Sequence, residues 1–108
     1  MGLPDWFQSP VIHAGLRKMR KVQGAVLLDV RTKEEYAAAH IPGGQNIPLD
    51  ELQTVKSRIT HPDTPLFVHC LSGGRRSRAV HFLKRAGYTD ATDLGGIAGY
   101  RGIMEKGV

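Results

Sequence analysis

The sequence predicts an α/β domain with a mostly parallel sheet. Two continuous apolar runs, Ala25-Val26-Leu27-Leu28-Asp29-Val30 and Leu66-Phe67-Val68, read as strands buried on both faces. Helical patterns lie between and around them, and parallel strands require such crossovers. Each run leads into a residue with chemistry, Asp29 at the end of the first and Cys70 after the second. In open parallel sheets, ligands bind beyond the carboxyl ends of the strands.

The elements follow in order. Ser9-Pro10 has the form of a helix start, with Ser as N-cap and Pro at the first helical position. Val11, Ile12, Leu16, Met19 and Val22 form a helical stripe that Gly24 ends. After the first strand, Thr32 and Glu35 have capping-box spacing and open a short helix through Tyr36 to Ala39. Ile41-Pro42-Gly43-Gly44 is a turn. Asn46-Ile47-Pro48 is a very short strand, kept to an edge or an end by its proline. Asp50 is placed to cap a helix carrying Leu52, Val55 and Ile59, which His61-Pro62-Asp63 breaks. Beyond the second strand, a helix from Ser77 to Ala86 presents Ala79, Val80, Leu83 and Ala86, with Gly87 at the C-cap position. Ala91 to Leu94 is a final short strand. A last amphipathic helix would carry Ile97, Tyr100, Ile103 and Met104.

A chain of 108 residues is the size of one domain, expected to span 1–108 with one core and no metal or disulfide staple. Its 41% hydrophobic and 23% charged content is that of a soluble globular protein. The single cysteine forms no internal disulfide, no run approaches a membrane span, and Met1 to Pro10 lacks a secretory layout. The cytoplasm is therefore the expected compartment, with no membrane partner. The net charge of +5 is compatible with nucleic acid or small anions. Arg17, Lys18, Arg20 and Lys21 read as the solvated face of an early helix. No aromatics are interleaved with them for base stacking, so nucleic acid is not an expected partner. The five histidines lack paired ligand spacing, and one cysteine cannot build a zinc site, so no metal is expected.

Cys70 is the candidate nucleophile. It opens the loop Cys70-Leu71-Ser72-Gly73-Gly74-Arg75-Arg76-Ser77. Thiolates react and thiols mostly do not, so the charge environment decides a cysteine's chemistry. Inward N–H groups of a Gly-rich turn, the positive end of the next helix, and Arg75 and Arg76 all favour the thiolate. Arginines in a helix's first turn oppose its dipole. Three of them here (Arg75, Arg76 and Arg78) imply that an anion is held.

The matching stretches Leu27-Leu28-Asp29-Val30-Arg31, Glu35-Tyr36, His40-Ile41-Pro42-Gly43-Gly44, Asn46-Ile47-Pro48-Leu49, the Cys70-to-Arg75 loop, Gly87-Tyr88 and Leu94-Gly95-Gly96-Ile97 resemble a rhodanese domain. They cover roughly residues 25–102 in the family's order. The resemblance implies a rhodanese-like fold, a five-stranded mostly parallel sheet with helices on both faces. It implies sulfur transfer from thiosulfate or a related donor to cyanide or a thiol, through a transient persulfide on Cys70 and without a cofactor. Backbone N–H groups from Leu71, Ser72, Gly73, Gly74 and Arg75 would cradle the anionic sulfur. Arg75 would bind the donor, and Arg76 would add diffuse attraction. Asp29 and Arg31 match the family's first block, where a supporting role is expected: Asp29 capping nearby N–H groups, Arg31 paired with Glu34 or Glu35. His40 reads as a turn-packing residue. Tyr100 stands where the family often has Trp. The expected partners are a small anionic sulfur donor and an acceptor that is a thiol, cyanide or a sulfur-carrier protein. Relatives of this size occur as monomer or homodimer.

Two other readings compete. His69-Cys70-x5-Arg76-Ser77 fits the pattern of cysteine-dependent phosphatases, or an arsenate reductase on the same loop, with Arg76 gripping the oxyanion. The position of Gly87-Tyr88 favours the shorter sulfurtransferase loop, with Arg75 as the anion-binding arginine. A non-catalytic module that carries persulfide or binds another protein is the third reading.

Overall fold

The computed structural model describes residues 11–70 and 73–108. Its element order is helix α1 (Val11–Met19), strand β1 (Val26–Asp29), helix α2 (Lys33–Ala38), strand β2 (Gln45–Asn46), a 3-10 helix (Leu49–Thr54) running into helix α3 (Val55–Arg58), strand β3 (Leu66–Cys70), helix α4 (Gly73–Arg85), strand β4 (Ala91–Gly96) and a last 3-10 turn (Ile97–Gly99). The four strands form one sheet in the order β2-β1-β3-β4, and every pairing is parallel. The two apolar runs thus became the central strands, where both faces are covered.

Strand periodicity divides the core in two. Leu28, Val30, Leu66, Val68 and Cys70 pack on one face with Leu52, Val55, Ile59, Ala79, Leu83 and Tyr88. Leu27, Phe67 and Leu94 pack on the other with Ile12, Leu16, Ile41 and Ile97. Helices therefore cover both faces, as expected. The basic residues Arg17 and Lys18 of α1 stay exposed, opposite its buried Ile12 and Leu16.

Local chemistry explains the element ends. Thr32 Oγ1 accepts from the Glu35 N–H at 3.1 Å, and Glu35 Oε1 accepts from the Thr32 N–H at 2.8 Å, closing the expected capping box at the start of α2. Gly87, with φ +105°, ends α4: its N–H reaches Lys84 O while Tyr88 N–H reaches Leu83 O. That paired closure needs a left-handed residue, which glycine supplies without steric cost.

Several expectations are corrected. Four strands, not five, are present among the described residues. The start at Ser9-Pro10 lies outside the described residues. The first helix ends at Met19, before Val22, and Gly24 turns the chain into β1 with φ +77°. Asp50 does not cap its helix; Pro48 takes that position with no side-chain cap. A helix's leading N–H groups lack intrahelical partners, so a preceding proline costs nothing there. Helix α4 begins at Gly73, four residues before the expected Ser77. The final helix is replaced by the 3-10 turn, after which Ile103 is 80% exposed. Glycines at 99 and 102 weaken helix formation there. The tail instead pairs with the body: His40 and Glu105 exchange antiparallel backbone hydrogen bonds, each 2.8 Å. No helix among the described residues is long and apolar enough to cross a membrane.

Candidate active site

The parallel sheet brings the site residues to one end. Asp29 closes β1 and pairs in register with His69 on β3, one residue before Cys70. The chain then enters α4, whose first turn holds Gly73, Gly74, Arg75 and Arg76. The two glycines, expected as loop, are helical, and the arginines expected in a first helical turn follow them there. The N–H groups of a first helical turn have no intrahelical partner, so Gly73, Gly74 and Arg75 offer donors at the positive end of α4. Leu71 and Ser72, expected to complete the cradle, lie outside the described residues. The Arg76 side chain does too.

Cys70 has no exposed surface. The candidate nucleophile is therefore covered in this structure. Its side chain joins the core face shared by Val68 and Ala79. The charge of Arg75 acts on Cys70, and the guanidinium is itself held by Glu35, Nη1 to Oε1 at 2.8 Å and Nη2 to Oε2 at 3.2 Å. The Arg75 hydrogen bonds hold the Glu35 carboxyl at about 2, well below the usual carboxylate range. The same pairing raises Arg75 further above its ordinary value.

Beneath the site is a buried ionic cluster. Arg31 is 5% exposed and grips Asp29 with Nη2 to Oδ2 at 2.8 Å and Nε to Oδ1 at 3.0 Å. Its remaining donors meet the carbonyls of Ala39 at 2.7 Å and Glu35 at 3.4 Å. Asp29 also accepts from the Arg31 backbone N–H at 2.9 Å, the expected capping role. Arg31 was expected to pair with a Glu34 or Glu35 carboxylate. It pairs with Asp29 because both lie at the end of one strand, leaving Glu35 to Arg75. Asn46 Nδ2 ties this corner to β2 by donating to the carbonyls of Asp29 and Arg31.

His69 went unrecognised in the sequence as part of this cluster. It is fully buried, its Nε2 stands 3.7 Å from Asp29 Oδ2, and neither ring nitrogen has a hydrogen-bond partner among the described residues. Burial pushes its pKa down to about 4, against the opposing pull of the Asp29 charge. His69 is therefore neutral near pH 7. The signals in the sequence were its place beside Cys70 in the His-Cys-x5-Arg-Ser pattern and its position directly after the apolar run Leu66-Phe67-Val68. His40 packs as expected, stacked on Tyr36 with centroids 3.7 Å apart. Tyr100 stacks on His13 at 5.1 Å and closes the far rim of the α1 layer.

A pocket of about 350 Å³ opens beside these strand ends, lined in part by Val30, Leu49, Asp50, Arg75 and Arg78. Arg75 is already paired with Glu35, so Arg78 is the cation of this lining left to meet an anion.

The rhodanese-like domain family matches residues 13–102. The chain is 37% identical over 84 residues to the YqhL protein of Bacillus subtilis, covering 78% of this chain and 61% of that protein. It is 35% identical over 75 residues to thiosulfate sulfurtransferase GlpE of Pseudomonas fluorescens, covering 68% of this chain and 67% of that one. Among solved structures, a thiosulfate sulfurtransferase from Pseudomonas aeruginosa superposes with a TM-score of 0.79 at 30% identity, over 90% of this chain and 19% of the larger one. The chain belongs to the rhodanese-like domain family, and its α/β fold is the rhodanese-like fold.

Proposed function

We propose that the chain is a sulfurtransferase that moves a sulfane sulfur from thiosulfate, or a related donor, to a nucleophilic acceptor through Cys70. The observation that carries the reading is the placement of Cys70 at the carboxyl end of β3, directly before the first turn of α4 and within the field of Arg75. The likeness to proteins named thiosulfate sulfurtransferases supports it.

The chemistry takes two displacements. The Cys70 thiolate attacks the outer sulfur of thiosulfate, a new S–S bond forms, and sulfite departs with the electron pair of the broken S–S bond. An acceptor thiolate or cyanide then attacks the terminal persulfide sulfur and returns the electron pair to Cys70. No cofactor enters either step. The N–H groups of the first turn of α4, which have no intrahelical partner, would stabilise the terminal anionic sulfur, as preorganised donors do. Because Cys70 is covered, the atoms over the sulfur must move before a donor reaches it.

Steady-state thiosulfate:cyanide transfer tests this reading. Parallel double-reciprocal lines are expected, since sulfite leaves before the acceptor binds. Turnover of p-nitrophenyl phosphate at a comparable rate, with no sulfur transfer, would instead favour the phosphatase reading. Persulfide formation without turnover by any small acceptor would favour the carrier reading.

A further inference from the structure

A groove away from Cys70 lies on the helical face of the described part of the protein. It measures about 800 Å³ and runs between the Leu49–Thr54 helix and α4. Leu49, Leu52 and Phe82 give it an apolar lining, while Arg78, His81 and Arg85 edge it with basic groups. Phe82 is 40% exposed, a large apolar side chain left uncovered on a helix face. No carboxylate lines the groove, and no ion pair holds Arg78 or Arg85 among the described residues.

Helix periodicity makes this one surface. Arg75, Arg78, Phe82 and Arg85 follow spacings of three and four, so they share a stripe along α4. Leu49 and Arg78 line both this groove and the smaller pocket that holds Arg75 and Val30, so the two adjoin. The glutamate that neutralises Arg75 has no counterpart for Arg78. Arg78 and Arg85 are both exposed, so an incoming carboxylate can reach either.

We propose that this groove docks the sulfur acceptor, and that the acceptor is a protein presenting an acidic segment with a large apolar side chain. The apolar residue would cover Phe82 and Leu49, and the carboxylates would meet Arg78 and Arg85. An acceptor so placed brings its nucleophile along α4 toward the strand ends where Cys70 sits. The inference deepens the sulfurtransferase reading and rests on it, since it names the partner that reading requires.

The probe is a synthetic peptide of Glu, Asp and Leu bearing one cysteine, compared with its Lys-for-acid counterpart. Persulfidated protein is mixed with each, and sulfur arriving on the peptide is followed by mass. The acidic peptide should show a KM about tenfold lower, rising with salt as a charged contact does. Phe82→Ala and Arg85→Gln should each raise that KM about fivefold while leaving thiosulfate:cyanide turnover unchanged. Equal KM values for the two peptides, or variants that behave as the parent, would overturn the proposal. A duplex oligonucleotide that displaces the acidic peptide at lower concentration would also overturn it. So would a homodimer in sedimentation that Phe82→Ala dissolves, because a second copy would then own the groove. If no persulfide forms, fluorescence anisotropy of the labelled peptide separates the two ideas. Binding that Phe82→Ala weakens keeps the docking groove and removes sulfur transfer. Absence of binding removes the groove.

Discussion

The Arg75 guanidinium and the Glu35 carboxylate meet across 40 residues of chain, with Nη1 and Oε1 at 2.8 Å. Glu35 serves two elements at once. It completes the capping box of α2 and holds the first turn of α4 in place. The expected consequence is a defined acid limb. Glu35 is held at about 2 when folded and returns toward 4.5 when unfolded, so its contribution is present above pH 4.5 and lost as the pH falls toward 2. Glu35→Gln keeps a capping acceptor but loses the charge. Urea unfolding should show that the variant loses at most about 1 kcal/mol at pH 7, because the pair is partly exposed. Its stability should change less than the parent's between pH 4.5 and 2.

His69 predicts a second and separate window. Its folded pKa is about 4 against an ordinary 6.5, so the unfolded chain binds a proton first as the pH falls. The stability it contributes is complete above pH 6.5 and lost on the way down to 4. The expected loss is about 3 kcal/mol. His69→Leu should flatten this part of the pH profile, since it removes the titrating ring and its two unpartnered nitrogens. A parent profile that is level from pH 6.5 to 4 would contradict the assignment.

Breaking the Asp29–Arg31 pair should be costly. Removing Arg31 leaves a buried carboxylate and frees two carbonyls that it now satisfies. Arg31→Ala should lower stability by about 3 kcal/mol in denaturant titration, the usual cost of an uncompensated buried charge. A loss below about 1 kcal/mol would place this cluster with surface pairs.

Much of this was legible in residues 25–30 and 66–70, because strands buried on both faces leave an unbroken apolar run. The capping box at Thr32 and the glycine at 87 were equally readable, since each is a local motif with one geometric solution. The Arg75–Glu35 and Asp29–Arg31 pairings were not. Glu35 and Asp29 both neighbour Arg31 in sequence, and the 40-residue contact that takes Glu35 to Arg75 is not visible in local spacing. The start of α4 was misjudged because Gly73-Gly74 reads as a loop, while a helix's first turn tolerates glycine. The terminal helix was misread for the opposite reason. Its apolar spacing was present, but pairing of Glu105 with His40 holds the tail extended.

The two arginines of the site separate the competing readings. Arg75, held by Glu35, interacts electrostatically with Cys70. Arg75→Ala should therefore depress kcat/KM for thiosulfate about a hundredfold, a loss typical of a preorganised electrostatic group. Arg76→Ala should cost about threefold, as the loss of one diffusely attracting charge does. A larger loss at Arg76 would move the site toward the phosphatase register.

The account rests on Cys70 as the atom that takes up sulfur. Intact mass after incubation with thiosulfate, without acceptor, tests it most directly. The parent should gain one sulfur atom, lose it on addition of cyanide, and gain nothing once Cys70→Ser is introduced. A parent mass that does not change, or a sulfur gained equally by Cys70→Ser, would contradict it.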